Sequence, residues 1–415
     1  MTERQWSVSV KDSNGDTSPY APLRSFNLVW VEPTLLTPFN NTESDGTLFT
    51  WEHQGQGGVQ TEFAFRRIAI DYEDAWSVAV PGTPSFGTTQ RSVSYSPNGL
   101  WIAITGYNSP YLHVYNTSDF SQVPGTPSLP NNGWEVRFSA DSAYLAVTHR
   151  DGDHLTIVDT SDWSIVPNTP VMPTNSPNES DVAWSPDGLY LAVAHTVSPY
   201  IDVYDTTDWS KVTGTPTLPS DGTGVTFSHN GAFLAVTFSD DPNLMVINTS
   251  DWSQVAGTPA LLGSTGNDVR FSHDDAVLAA AHSIGVDIIQ TSDWSIIVPY
   301  DEIFSQQTHS VDFTPDDNYL VAACHRRFRV IDTSNWSQYV SKSLDDATVR
   351  GAKFSIDGYY IAVAMTYTFH YSNRFYVFEG PPSVYKYWNG SDWQTEEFFI
   401  LSSDEFLELS PSDWE

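Results

Sequence analysis

Three histidines occupy one point of a repeated pattern in this sequence. His149, His195 and His282 each end a frame of the type LAV-T/A-H. The other copies of the pattern place different residues there, namely Gly106, Phe238, Cys324 and Met365. A metal site needs several imidazole or thiolate ligands close together, whereas equivalent positions of neighbouring sheets lie about 10 Å apart. We therefore interpret these histidines as structural, donating to backbone carbonyls between copies.

Carboxylates are the other abundant groups that could carry chemistry. They occur in adjacent or near-adjacent pairs at Asp151 and Asp153, Asp240 and Asp241, and Asp316 and Asp317. No pair stands out, and no calcium-loop spacing, phosphate loop, nucleophile elbow or HExxH motif is present in the sequence. We expect no cofactor beyond a loosely bound Ca²⁺ in the loops DGDH or SDDPN. The single cysteine excludes an intrachain disulfide.

The overall charge excludes one class of partner. The 415 residues include 51 Asp and Glu but only 18 Lys and Arg, which gives a net charge of −33. Nucleic-acid binding requires clustered cations, so it is not expected.

No apolar run reaches the ~20 residues of a membrane span, and the start MTERQWSVSV does not resemble a secretory signal. Asp outnumbers Glu by 36 to 15 and only five residues are Lys. A saline habitat is one hypothesis and a merely acidic surface is the alternative; unfolding followed against NaCl concentration distinguishes them.

The pattern itself is a repeat of seven copies. Each copy combines an alternating V-x-F-S run, an SPDG-type turn, an apolar YLAVA run and a third strand that ends in TSDW or a close variant. The aromatic anchors of the first run are 41 to 46 residues apart: Tyr95, Phe138, Trp184, Phe227, Phe271, Phe313 and Phe354. This period is typical of a four-stranded propeller blade. We predict that a fourth strand starts at the aromatic residue of TSDW and that strand 76–80 pairs with strand 375–378 to close the last blade.

The remaining segments predict a second, smaller domain. Residues 1–72 and 380–415 contain seven short strand-like runs, enough for one sandwich of the immunoglobulin class. We predict an all-β chain: a seven-bladed β-propeller at 73–379, inserted between the N-terminal part (1–72) and the C-terminal part (380–415) of a small immunoglobulin/fibronectin-like β-sandwich. The alternative is a partial sheet at 1–72 with a tail at 380–415.

The repeat resembles WD-repeat-like β-propellers, in the version with TSDWS, GTP, FSPDG and YLAVAH that occurs in virion proteins of tailed viruses. The eukaryotic Gly-His and Trp-Asp dipeptides are not regular here, so a signalling scaffold is not implied. The segments FTWEHQGQGGVQTEFAFRR (49–67) and YKYWNGSDW (385–393) are similar to fibronectin type III-like modules in tail proteins of viruses of actinobacteria and haloarchaea. The resemblance implies a tail, fibre or capsid-spike protein, assembled in the host cytoplasm without a signal peptide.

We predict that one face of the propeller is a binding surface. The loops between second and third strands and between copies vary, and they carry aromatic and basic residues on an otherwise acidic chain. The candidates are Tyr107, Tyr111, Trp134, Arg150, Arg326, Arg327, His370, Tyr371 and Arg374. The alternative is that these loops merely vary because nothing packs on them.

We therefore expect a non-enzymatic virion protein. Its sandwich would dock to other virion proteins, its copy number would follow particle symmetry, and the propeller would meet a host-surface protein or glycan. The alternatives are an intracellular scaffold or a propeller enzyme of the lactonase or glycosidase kind. An enzyme would need convergent polar residues on the innermost strands. These read mostly as small or apolar, with Arg137, Arg270 and Asp312 scattered among them as a potential ion pair.

Overall fold

The computed structural model describes residues 4–6, 28–30, 80, 83–84, 89–150, 154–172, 181–263, 265–298, 306–367, 375–379, 384–388 and 393–397. Every regular element within these ranges is a β-strand, so the predicted all-β class is confirmed. The chain divides into two compact units, one of Met1–Asp71 with Pro382–Glu415 and the other of Tyr72–Pro381.

The smaller unit contributes two short antiparallel sheets. Strand β1 (Arg4–Trp6) pairs with β2 (Leu28–Trp30), and β25 (Val384–Trp388) forms a hairpin with β26 (Trp393–Glu397). The latter pair corresponds to the YKYWNGSDW segment. The other strand-like runs of 1–72 and 380–415 lie outside the described residues, so the sandwich stays a prediction.

The larger unit is a series of antiparallel sheets: each of the first five repeats forms one sheet, and repeats six and seven share one. The first strands of the repeats are β3 (Gln90–Tyr95), β6 (Gly133–Phe138), β10 (Asp181–Trp184), β13 (Gly222–Phe227), β16 (Gly266–Phe271), β20 (Thr308–Phe313) and the last part of β22 (Ser337–Phe354). The second strands are β4 (Trp101–Gly106), β7 (Tyr144–His149), β11 (Tyr190–Ala194), β14 (Phe233–Phe238), β17 (Val277–His282), β21 (Tyr319–Asp332) and β23 (Tyr360–Tyr367). The third strands are β5 (Leu112–Asn116), β8 (Leu155–Asp159), β12 (Ile201–Asp205), β15 (Leu244–Asn248), β18 (Gly285–Gln290), the second half of β21, and β24 (Phe375–Glu379).

The turns of each repeat are held by their own side chains. In the third repeat, Ser185 Oγ donates to Asp187 Oδ1 at 2.5 Å, and Gly188 has a φ of 73° that favours glycine. Thr206, which follows the third strand, donates from Oγ1 to the Gly188 carbonyl at 2.6 Å. The TSDW-type turn is thereby attached to the SPDG-type turn within one repeat, which explains why both recur together.

The fourth strands are shorter than predicted. Among the described residues, the strands at this point are β9 (Ser164–Ile165), β19 (Ile296–Val298) and the start of β22, and single bridges such as Tyr204↔Lys211 replace others. The aromatic residue of TSDW cannot begin a strand because its φ is positive, for example 60° at Trp294. Its N–H instead closes a turn on the Gln290 carbonyl at 2.8 Å.

That backbone conformation turns the aromatic side chain inward between two sheets. Trp163 packs edge-to-face on Trp101 of the preceding repeat, with 5.2 Å between the ring centroids. Trp294 packs in the same way on Phe233, with a centroid distance of 5.3 Å. Both indoles are buried. The repeated tryptophan is therefore a packing residue between neighbouring sheets.

The sixth and seventh repeats are continuous with each other. β21 contains both the second and the third strand of repeat six, and the chain turns between them at Arg326, which has a φ of 67°. β22 runs from the fourth strand of repeat six into the first strand of repeat seven. This joins β20 to β24 in one five-stranded sheet.

Neighbouring sheets pack face to face in chain order. Each first strand lies beside the first strand of the next repeat, and β22 lies beside β3. Apolar residues of the first and last repeats share one cluster, which includes Val93, Ile104, Ala362 and Val377. Val80, the one described residue of predicted strand 76–80, donates its N–H to the Val377 carbonyl at 2.7 Å. The arrangement of these small sheets is β-propeller-like.

Candidate functional site

A cavity of about 110 Å³ is lined by side chains from the first strands of all seven repeats. The lining comprises Arg91, Ser92, Trp134, Glu135, Arg137, Asp181, Thr223, Asn267, Asp268, His309, Ser310, Arg350, Gly351 and Lys353. Convergence of every repeat on one cavity makes it the strongest candidate site among the described residues. It also corrects the expectation that the innermost positions are mostly small or apolar.

β-Bulges bring one residue from each of six first strands to the rim of this cavity. The register shifts at the same point in six first strands, for example between Gln90 and Ser92 in β3 and between Val349 and Gly351 in β22. A bulge leaves a residue without a ladder partner and changes the direction of its side chain. The bulge residues at the cavity are Arg91, Trp134, Thr223, Asn267, His309 and Arg350. We call this group the rim.

Below the rim, charged side chains alternate in sign along one chain of ion pairs. Its members in order are Glu135, Arg137, Asp181, Arg270, Asp268, Lys353 and Asp312. Arg270 lies 3.0 Å from Asp268 and 3.8 Å from Asp181. We call this group the charge chain. Each member has an opposite charge as neighbour, as buried ions require.

Burial and partners shift the pKa values in the charge chain in different directions. Burial alone would raise the pKa of Asp268, but Arg270, Lys353 and Arg137 together hold it below its ordinary value. For Glu135, burial raises the pKa despite the opposing effect of Arg137. Burial also lowers the pKa of Lys353, with Arg270 acting in the same direction. Two chemically similar carboxyls therefore differ in how strongly folding favours their ionised form.

This difference predicts opposite effects for two isosteric variants. Asp268→Asn is expected to cost about 2–3 kcal/mol of stability at pH 7, because it leaves Arg270 with one partner fewer. Since the pKa of Asp268 is lowered in the folded state, this contribution is lost as the pH falls below 3.8. Glu135→Gln is expected to be neutral or stabilising at pH 7, because folding raises that pKa and so disfavours the charge. Urea unfolding from pH 7 to 3 measures both, and equal losses for the two variants would contradict the assignment.

The rim contains two arginines, Arg91 and Arg350, and each contacts an aromatic side chain. The Arg91 guanidinium lies 3.7 Å from the Trp134 ring centroid and 5.3 Å from that of Tyr107. Tyr107 and Trp134 meet edge-to-face at 5.9 Å. Arg350 Nη1 donates to His309 Nδ1 at 3.5 Å. Burial, together with the charges of Arg350, His325 and Arg91, lowers the pKa of His309 to about 3.

The predicted binding residues are only partly brought together. Tyr107 and Trp134 meet at the rim, whereas Tyr111 packs against the cluster between the first two repeats. Arg150 is exposed. Arg326 and Arg327 lie at the bend of β21, where Arg326 has a φ of 67°. The other three, His370, Tyr371 and Arg374, lie outside the described residues.

Sequence reasoning missed Arg91 and Arg350 at the rim, and Glu135, Asp181, Asp268 and Lys353 in the charge chain. The repeat pattern of the sequence does indicate Arg91 and Arg350. Both stand two residues before the small or apolar residue that begins each repeat core, Val93 or Ala352, as do Trp134 and His309 relative to their own cores. Comparing copies at that position would have listed the rim. Arg137, Arg270 and Asp312 do take part in ion pairs, but each with other partners and not with one another.

The recurrent histidines contact side chains of their own repeats, and their predicted bonds to backbone carbonyls between copies stay a prediction. His149 Nε2 contacts Thr156 Oγ1 at 2.9 Å, and His195 Nε2 lies 3.6 Å from Asp202 Oδ2. His282 Nε2 lies 3.4 Å from Asp287 Oδ2. These partners belong to the third strand of the same repeat. Among the described residues, no three His, Cys, Asp or Glu side chains are close enough to hold a metal ion. The suggested loose Ca²⁺ stays a prediction, because Asp151 and Asp153 lie outside the described part.

The fold and site define a β-propeller-like, all-β protein. No protein-family model and no curated protein sequence matches this chain. Many solved structures are similar. One of them, hydrazine synthase of Kuenenia stuttgartiensis, has a TM-score of 0.60 and 17% identity over 72% of this chain and 97% of that chain. At this identity the likeness concerns the fold alone. Within the described ranges, no helix has the length and hydrophobicity needed to cross a bilayer.

Proposed function

We propose that the larger unit is a closed seven-bladed β-propeller with a binding site at the mouth of its central channel, and that it does not act as a catalyst. Three observations support closure: all seven first strands line one cavity, β22 lies beside β3, and Val80 bonds to Val377. A closed ring leaves no exposed sheet edge, which protects such a protein from aggregation.

The observation that carries the binding function is the mutual pairing of the charge chain. Catalytic carboxylates must be available to a substrate, whereas here Asp181 is shared by two arginines and Asp268 by Arg270 and Lys353. These groups fill the channel as a stabilising plug. The rim above them presents cations and aromatic rings, which binding surfaces use.

We further propose that the protein is a structural component of a tailed-virus particle, in the tail, a fibre or a capsid spike. The outer segments would form the sandwich that docks to other virion proteins, with a copy number set by particle symmetry. The propeller would present its rim to a protein or glycan of the host surface. The resemblance of the repeat and of the flanking segments to virion proteins supports this placement.

Mass spectrometry of gradient-purified particles tests the placement. We expect the protein in a fixed ratio to the major capsid protein and retained through repeated banding. A host cytosolic protein serves as the contamination control and should decrease with each step. If the protein accumulates in infected cells but is missing from intact particles, the virion proposal is wrong.

An enzyme is the second candidate, and one observation favours it. Glu135 lies in the cavity with a raised pKa, as a general acid would, and perturbed carboxyls cluster at catalytic sites. Hydrolysis of glycoside or lactone substrates that disappears in Glu135→Gln but persists in Lys342→Gln would favour this function. No hydrolysis by the wild-type protein would favour the binding function.

A further inference from the structure

The candidate cavity concentrates positive charge in a strongly acidic protein. Four of the chain's 18 Lys and Arg residues line it, against a net charge of −33 for the chain. Arg137 and Lys353 belong to the charge chain and are paired there with carboxylates. Arg91 and Arg350 belong to the rim, where Arg350 contacts His309. Among the residues that line this cavity, these four cations stand against three carboxylates, Glu135, Asp181 and Asp268.

Several rim donors are directed at no acceptor within the described part of the chain. Arg350 Nε and Trp134 Nε1 are buried polar atoms without a hydrogen-bond partner there. An arginine only donates, so Arg350 Nη1 requires His309 Nδ1 to act as acceptor. The His309 proton must then be on Nε2, which makes that atom a further donor. Buried donors without acceptors are costly, and an anionic ligand would supply the missing acceptors.

The surroundings of these donors select the kind of anion. Trp134 and Tyr107 form an aromatic wall beside Arg91, and the neutral side chains Thr223 and Asn267 complete the rim. Aromatic faces pack on the apolar face of a sugar ring, while amide and hydroxyl groups bond sugar hydroxyls. A guanidinium binds carboxylate in a planar, bidentate manner.

We infer that the rim binds the carboxylate of a terminal acidic sugar, of the uronic or nonulosonic acid class. Arg350 and Arg91 would hold the carboxylate, His309 Nε2 and Trp134 Nε1 would donate to ligand oxygens, and the aromatic wall would cover one face of the ring. This inference rests on the proposed binding function and specifies its ligand class.

Isothermal titration of the full chain with single sugars tests the inference. We expect N-acetylneuraminic acid or glucuronic acid to bind, glucose to bind at least tenfold more weakly, and added NaCl to weaken the acidic sugar. Arg350→Gln should lower the affinity at least tenfold. Lys342→Gln is the matched control, since it removes one cation from the same strand outside the cavity, and it should leave the affinity unchanged. Arg91→Gln provides a second variant if Arg350→Gln lowers the melting temperature.

Three results would overturn the inference: equal affinity for glucose, unchanged affinity in both arginine variants, or inorganic phosphate binding as tightly as the acidic sugar. None of these depends on where the protein resides. A protein present in particles that binds no acidic sugar would retain the virion proposal and lose only this ligand assignment.

Discussion

Replacing Arg270 with methionine is expected to destabilise the larger unit by about 3–5 kcal/mol at pH 7. Arg270 is 11% exposed and lies between Asp268 and Asp181, so its loss leaves two buried carboxylates without their shared partner. Methionine has a similar length and no charge, so the effect reports the missing ion and little loss of volume. Urea denaturation followed by tryptophan fluorescence measures the change in the free energy of unfolding.

The control for this variant is Lys342→Met, which removes a cation from β22 outside the charge chain and is expected to cost less than 1 kcal/mol. Combining Arg270→Met with Asp268→Asn removes a charge of each sign. The double variant should therefore be more stable than the sum of the single effects predicts. A loss for Arg270→Met no larger than that for Lys342→Met would show that the charge chain does not stabilise the fold.

The second large effect is expected at the aromatic packing between sheets. Trp294→Ala should cost about 3–5 kcal/mol, because a buried indole that contacts Phe233 edge-to-face is lost and a cavity is left between repeats four and five. Thermal and urea unfolding measure it. The backbone at this residue has a φ of 60°, which alanine tolerates as poorly as tryptophan, so strain does not change.

Trp209 is the matched comparison for Trp294. It stands at the same point of its repeat with a φ of 61°, but it is half-buried and borders a second cavity of about 180 Å³. Truncation there removes fewer contacts, so Trp209→Ala should cost less than half as much. Similar losses at both positions would mean that the turn conformation, and not the packing between sheets, sets the contribution of this tryptophan.

The proposed roles of the rim and the charge chain assign stability and binding to different residues of one cavity. Asp268 and Arg270 pair with each other, whereas Arg350 and His309 meet above them. Variants of the charge chain are therefore expected to change unfolding, and variants of the rim to change ligand affinity. The two sets of measurements can be made on the same protein and compared directly.

Much of the fold could be predicted from the sequence because each repeat is locally determined. The Ser185–Asp187 turn and its bond to Thr206 lie within about 20 residues, so spacing and residue type indicate them without knowledge of neighbours. The partner of Val80 was predicted across almost the whole unit, because one repeat lacked a fourth strand and one segment was left over. The number of strands in each repeat was therefore enough to predict that Val80 pairs with the last repeat.

Only the tertiary structure decided the site. Six bulges turn the rim residues toward one cavity, and a bulge depends on the register between strands, which the sequence pattern of a single strand does not contain. The Arg270–Asp181 pair joins residues 89 positions apart, and it forms because several first strands converge on one cavity. The repeat period and the turns thus follow from local chemistry, whereas the rim and the charge chain follow from bringing seven strands together.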